Sequence, residues 1–124
     1  MFQIDCASRV PIYEQICTNV IKLASAGVIK PNDKIPPVRV LATQLGINPN
    51  TVAKAYRDLE TRGYIYSTVG RGSFLTDKLT KDNALKILAV DNFKKAASQA
   101  IMFGASKDEL FDIINAAEKG GFEE

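Results

Sequence analysis

The sequence predicts a mainly α-helical chain that carries one small β-hairpin. Three observations predict it. Apolar residues recur at steps of three and four in five separate segments. Glycines and prolines stand between those segments, where helices stop and start. One stretch, "GYIYSTVGRGSFLTD" at 63–77, changes to short runs of aromatic and β-branched residues around a Gly-Arg-Gly.

The elements follow in order. In "RVPIYEQICTNVIKLASAGVIKP", Pro11 suits the first helical position. Ile12, Ile16, Val20 and Leu23, with Ile21 and Ala24, form the apolar stripe. Gly27 is placed to cap the end, and Pro31 prevents continuation. "NDKIPP" at 32–37 reads as a turn-rich linker, because the residue before a proline avoids the helical region. Pro37 can open a second helix, with Val38, Leu41, Ala42 and Leu45 inward and Gly46 ending it.

The next stretch, "LGINPNTVAKAY", holds a proline between two helical patterns. Asn48 is a good N-cap residue, and Pro49 then fits the first helical position, so the pair starts a helix. Val52, Ala55, Tyr56 and Leu59 give a buried stripe, and Gly63 closes the segment. Asn50, Thr51, Ala53, Lys54, Arg57 and Asp58 are left facing outward. Two short helices joined by a tight glycine-containing turn make the helix-turn-helix pattern. A hairpin with a basic tip following them makes the winged form.

The chain therefore divides into a winged helix-turn-helix at 1–77 and a two-helix region at 78–124. A long helix is expected from Asp82 to Phe103. Gly104 interrupts it, and "SKDE" forms a capping box with Ser106 as N-cap and Glu109 at N3. The last helix ends near Gly120. Two helices enclose little volume, so their apolar residues need cover from elsewhere. Leu85, Leu88, Phe93, Ile101, Phe103, Leu110, Phe111 and Ile114 are the expected dimer interface, since a two-fold dimer is the commonest oligomer.

Composition narrows the function classes. The 124 residues are 46% apolar and 24% charged, ordinary for a globular protein. No apolar run approaches the ~18 residues of a membrane span, and the start lacks the pattern of a signal peptide, so the expected location is cytoplasmic. Cys6 and Cys17 lack a metal-ligand spacing and read as two reduced thiols. The chain has no histidine, the commonest general base, and no nucleophile motif or phosphate loop. An enzyme is not expected, nor is a cofactor or a metal. Net charge is +2, but residues 1–78 hold ten Lys/Arg against six Asp/Glu, while 79–124 hold six against eight.

The front of the second helix of a helix-turn-helix meets base edges when the motif docks in a major groove. Asn50 can pair bidentately with adenine, and Thr51 can touch a base or a thymine methyl. Lys54, one turn on, reaches a guanine or a phosphate. Arg57 reaches a phosphate, which positions without specifying. The bland alternative for Lys54 and Arg57 is a solvated face beside Asp58 or Glu60. Asn48 serves the backbone as a cap. Arg71 at the hairpin tip suits a narrow minor groove; its alternative is an ordinary surface arginine. Tyr56 and Tyr64 fit core and wing packing better than base stacking.

Residues 11–75, "PIYEQ…GRGSFL", resemble the GntR family of bacterial transcription regulators almost without a gap. "NPNTV", followed by an alanine- and tyrosine-bearing helix, resembles its short YtrA-like branch, which carries two C-terminal helices in place of an effector domain. The resemblance implies a DNA-binding repressor that reads an inverted repeat as a homodimer, through recognition helix 49–62 and wing 64–76. It places Arg39 at a DNA-contacting position near the start of the second helix. It matches Asn50 and Thr51 to the polar front of the recognition helix, and Gly70, Arg71 and Gly72 to the wing tip. Departures are Pro37 where many relatives have serine and Val40 where many have glutamate. Pro49 and Ala53 stand where relatives outside the branch often have arginine, so their operator preference does not transfer. An unidentified small-molecule effector would have to bind between the domains or at the dimer interface. The competing reading is a protein-interaction adaptor on the same fold, which the modest charge alone supports.

Overall fold

The computed structural model describes residues 2–121. In chain order they form α1 (Ile12–Ser25), β1 (Lys34–Ile35), α2 (Val38–Leu45), α3 (Pro49–Thr61), β2 (Ile65–Thr68), β3 (Gly72–Leu75), α4 (Ala84–Met102) and α5 (Lys107–Glu118). Two compact units result, Met1–Leu88 and Ala89–Glu124, with the division inside α4.

In the first unit, α3 packs against both α1 and α2. The stripes meet in one core: Ile16, Val20 and Ala24 from α1, Leu41 from α2, and Val52, Ala55 and Leu59 from α3 are all fully buried. Truncating such a residue as Leu59 to alanine costs about 2–5 kcal/mol, because the hole left behind collapses only in part. The strands close one side as an antiparallel sheet in the order β1-β3-β2. Ile65 pairs with Leu75, and both side chains enter the core.

Helix ends follow the punctuation closely. Gly46 ends α2 at φ 68°, and the Ile47 N–H donates to the Ala42 carbonyl at 3.0 Å. Only glycine adopts that left-handed turn cheaply. Two starts move by one residue. Pro11 and Pro37 stand just outside α1 and α2, each supplying the carbonyl that accepts the first helical bond, from Gln15 and Leu41. A proline suits that place equally, since it lacks only a donor.

Three further differences have physical causes. The expected linker at 32–37 contains β1, because Ile35 is buried and pairs with Ser73. The long helix begins at Ala84 rather than Asp82, because Thr80 and Asn83 cap each other: Thr80 N–H donates to Asn83 Oδ1 at 2.8 Å and Asn83 N–H to Thr80 Oγ1 at 3.3 Å. The first compact unit extends past the expected boundary at 77/78, because Leu79 and Ala84 are fully buried in its core and Leu88 packs against it.

The second unit is built differently. Ser106 caps α5, its hydroxyl accepting the Glu109 N–H at 3.1 Å. Yet no described residue from 89 to 121 is buried. Phe93, Ile101, Phe103 and Phe111 stand 49%, 51%, 79% and 49% exposed. Ile114 is exposed beside them, and Leu110 is half-buried. Apolar side chains at that density are uncommon on the surface of a lone monomer. The exposed Leu85 lies earlier on α4, in the first unit.

Candidate nucleic-acid interface

The turn between α2 and α3 sets the geometry. Asn48 has an extended backbone, and its side-chain oxygen accepts the Asn50 N–H at 2.8 Å. Pro49 follows as the first residue of α3. The cap satisfies one of the donors a helix start leaves open. Among the described residues no hydrogen bond engages the Asn50 side chain, and it is exposed. Asn50, Lys54 and Arg57 are exposed at i, i+4 and i+7, which is one stripe of the helix. Arg39 is exposed in the first turn of α2.

The outward set expected on α3 narrows. Thr51, Ala53 and Asp58 are half-buried. This helix packs against both α1 and α2, so its covered arc is wider than a single stripe. Asp58 turns to α1, where its Oδ2 accepts from the Cys17 thiol at 3.5 Å. Burial, with the Asp58 charge adding to it, pushes the Cys17 thiol up to about 12.

Lys54 has a partner that the sequence pattern did not indicate. Its ammonium sits 4.1 Å from the centre of the Tyr13 ring, on α1. Such a cation–π contact holds a flexible side chain at a cost in mobility rather than charge. The Tyr13 hydroxyl lies 3.4 Å from Glu14 Oε1, whose charge raises the phenol above its ordinary range. A motif search along the sequence misses this pairing because residues 13 and 54 meet only through packing of α1 on α3.

The wing is a tight hairpin. The Arg71 N–H donates to the Thr68 carbonyl at 3.0 Å, closing the turn. Val69, Gly70 and Arg71 are exposed at the tip, and Gly72 is half-buried. Behind the tip, the Arg62 guanidinium lies 4.9 Å from the centre of the Tyr64 ring. Tyr56 is in the core, as expected of it, and its hydroxyl donates to the Pro36 carbonyl. Burial raises the Tyr56 phenol as well. That bond ties α3 to the peptide next to Ile35, and Ile35 pairs with Ser73 of the wing. The helix front and the hairpin tip thus present a polar and basic set: Arg39, Asn50, Lys54, Arg57 and Arg71. Among the described residues no group of His, Cys, Asp and Glu could hold a metal ion, and no helix is long and apolar enough to cross a membrane.

Comparison with known proteins gives a consistent set. Residues 12–75 match the family model described as bacterial regulatory proteins, gntR family. The chain is 39% identical to the HTH-type transcriptional repressor YtrA of Bacillus subtilis, over 98% of this chain and 97% of that one. A GntR family transcriptional regulator from Listeria monocytogenes superposes with a TM-score of 0.63 at 29% identity, covering 90% of this chain and 97% of that one. The DNA-binding domain of AraR, in complex with operator ORE1, superposes with a TM-score of 0.53 at 30% identity, covering 61% of this chain and 93% of that one.

Proposed function

This chain belongs to the gntR family of bacterial regulatory proteins, and from that premise we propose that it is a repressor that binds an inverted-repeat DNA operator as a homodimer. The observation that carries the reading is the exposed stripe of Asn50, Lys54 and Arg57 on a helix whose start is fixed by its own cap. In the major groove, the free Asn50 amide pairs with adenine N6 and N7. Thr51 offers its hydroxyl beside it. Arg57 and Arg39 hold phosphates, which set register without reading sequence. Lys54 is steered by Tyr13 before it meets DNA. The Gly70-Arg71-Gly72 tip enters the adjacent minor groove, where narrow width concentrates negative potential.

Homodimerisation is supported by the second unit. A unit with no buried residue among those described from 89 to 121 needs apolar cover, and a second copy supplies it symmetrically. Two copies bring two recognition helices, which reads as an inverted repeat on the DNA. Phe93, Ile101, Phe103, Leu110, Phe111 and Ile114 form the proposed interface. Repression follows the relative called a repressor, which this chain matches along nearly its whole length. An unidentified small molecule acting at the dimer interface would tune it.

The test is fluorescence anisotropy on the DNA upstream of the chain's own gene, with a scrambled duplex beside it. Tight binding to the first that weakens steeply with salt is expected. Equal, weak affinity for both duplexes would overturn the reading and favour an adaptor that binds protein through the same fold.

A further inference from the structure

Lys34 stands on β1 opposite Phe74, which in turn stands opposite Tyr66 on β2. Strand alternation puts these three side chains on the outer face of the sheet, with Ile35, Ile65 and Leu75 buried on the inner one. The Tyr66 and Phe74 rings stack, with centroids 5.4 Å apart and planes at 23°. Toward the tip on this face comes Gly72. A Cβ built there would lie 2.8 Å from Lys34 Cε and 3.6 Å from its Nζ. The lysine stem therefore crosses the wing where a side chain is missing, and its ammonium stands beside the residue that follows Arg71. Gly72 has a φ of 112°, which already favours glycine. Room for Lys34 is a second reason for it.

This ammonium has no competing duty. Among the described residues no carboxylate pairs with Lys34. The adjacent Asp33 carboxylate accepts the Lys30 N–H at 2.9 Å. A lysine whose aliphatic stem lies on apolar surface, with its charge in water, keeps the charge available at a defined place. Here the stem runs over a backbone that itself forms the wing.

We infer that Lys34 is a phosphate contact of the wing, acting beside Arg71. The inference rests on the DNA-binding reading above. Arg71 enters the minor groove, and the Lys34 ammonium takes a backbone phosphate at the edge of that groove. The contact is electrostatic and independent of sequence, so it adds affinity without adding specificity. It makes β1, a strand of two residues, part of the binding surface.

The experiment uses the full chain and a duplex selected by it from a random-sequence pool, with a scrambled duplex beside it. Anisotropy is followed through a salt series for wild type, Lys34→Gln, Lys34→Arg and, as a loss of charge in the second unit, Lys119→Gln. The homodimer carries two copies of Lys34, so removing both phosphate contacts should lower the slope of log K against log salt by about 1.8, and raise Kd about thirty-fold near 0.15 M salt. The loss should be equal on both duplexes, restored by Lys34→Arg and absent in Lys119→Gln. A Lys34→Gln protein with the wild-type slope and affinity overturns the inference. So does a loss confined to the selected duplex, which would make Lys34 a base reader. If wild type itself shows no salt-dependent binding, the DNA reading fails and this inference falls with it; the wild-type series tells the two failures apart.

Discussion

The side-chain oxygen of Asn48 accepts a hydrogen bond from the backbone N–H of Asn50 at 2.8 Å, so two asparagines two positions apart do different work. One holds the helix start; the other keeps its side chain free. Asn48→Ala should lower stability by about 1 kcal/mol, the usual worth of an N-cap, read from the urea midpoint. Asn50→Ala should leave that midpoint in place and weaken binding to the selected operator by about 1–3 kcal/mol per half-site, with little change on random DNA. Equal loss on both duplexes would take the reading role away from Asn50.

The uncovered second unit gives a prediction about assembly. Wild type should sediment as a dimer at micromolar concentration. Ile101→Asp combined with Phe111→Asp places charge where apolar cover is expected, and should give a monomer with a folded first unit. Operator affinity should fall with it, because the two half-sites are then bound separately. A wild type that sediments as a monomer would remove the basis for the two-fold reading.

Where the first unit ends is measurable too. Leu79 is fully buried, so Leu79→Ala should cost about 2–5 kcal/mol. A fragment of residues 1–88 should unfold at a higher urea concentration than one of residues 1–77, which lacks both Leu79 and Ala84. Equal midpoints would place the boundary at 77/78.

Alkaline pH should act through Cys17. Its thiol is held up to about 12 in the fold, against an ordinary 9.0. The unfolded chain therefore loses this proton first as pH rises. The contribution to stability is complete below about pH 9 and fades between there and about pH 12. Tyr56, raised by burial, acts in the same direction. Thermal midpoints should decline across that window, and less steeply in Cys17→Ala relative to its own value at neutral pH. A thiol reagent at pH 8 should modify the exposed Cys6 and leave Cys17 until the protein unfolds.

Much of this architecture is legible in one dimension because its signals are local. Asn48 and Pro49 start α3, Gly46 stops α2, and Ser106 starts α5, each through bonds that span a few residues. The exposed helix front follows from the same period. What escapes such reading depends on distant partners. β1 is two residues long and exists through Ser73 and Phe74, far along the chain. Lys54 meets Tyr13, and Asp58 meets Cys17, only because α3 lies against α1. The pattern of charges marks these residues as surface; packing decides what each one touches.

The sheet and the helix-turn-helix share three consecutive backbone positions. Ile35 pairs with the wing, the Pro36 carbonyl takes the Tyr56 hydroxyl, and Pro37 supplies the first acceptor of α2. Helix and hairpin therefore cannot be re-spaced one without the other. On a duplex bound as proposed, they work like the jaws of a caliper locked at one opening. A site with every contacted base correct, but with its grooves set at another spacing, must bend or twist to fit. This protein would then discriminate among operators partly by measuring the stiffness of base steps that none of its side chains reach.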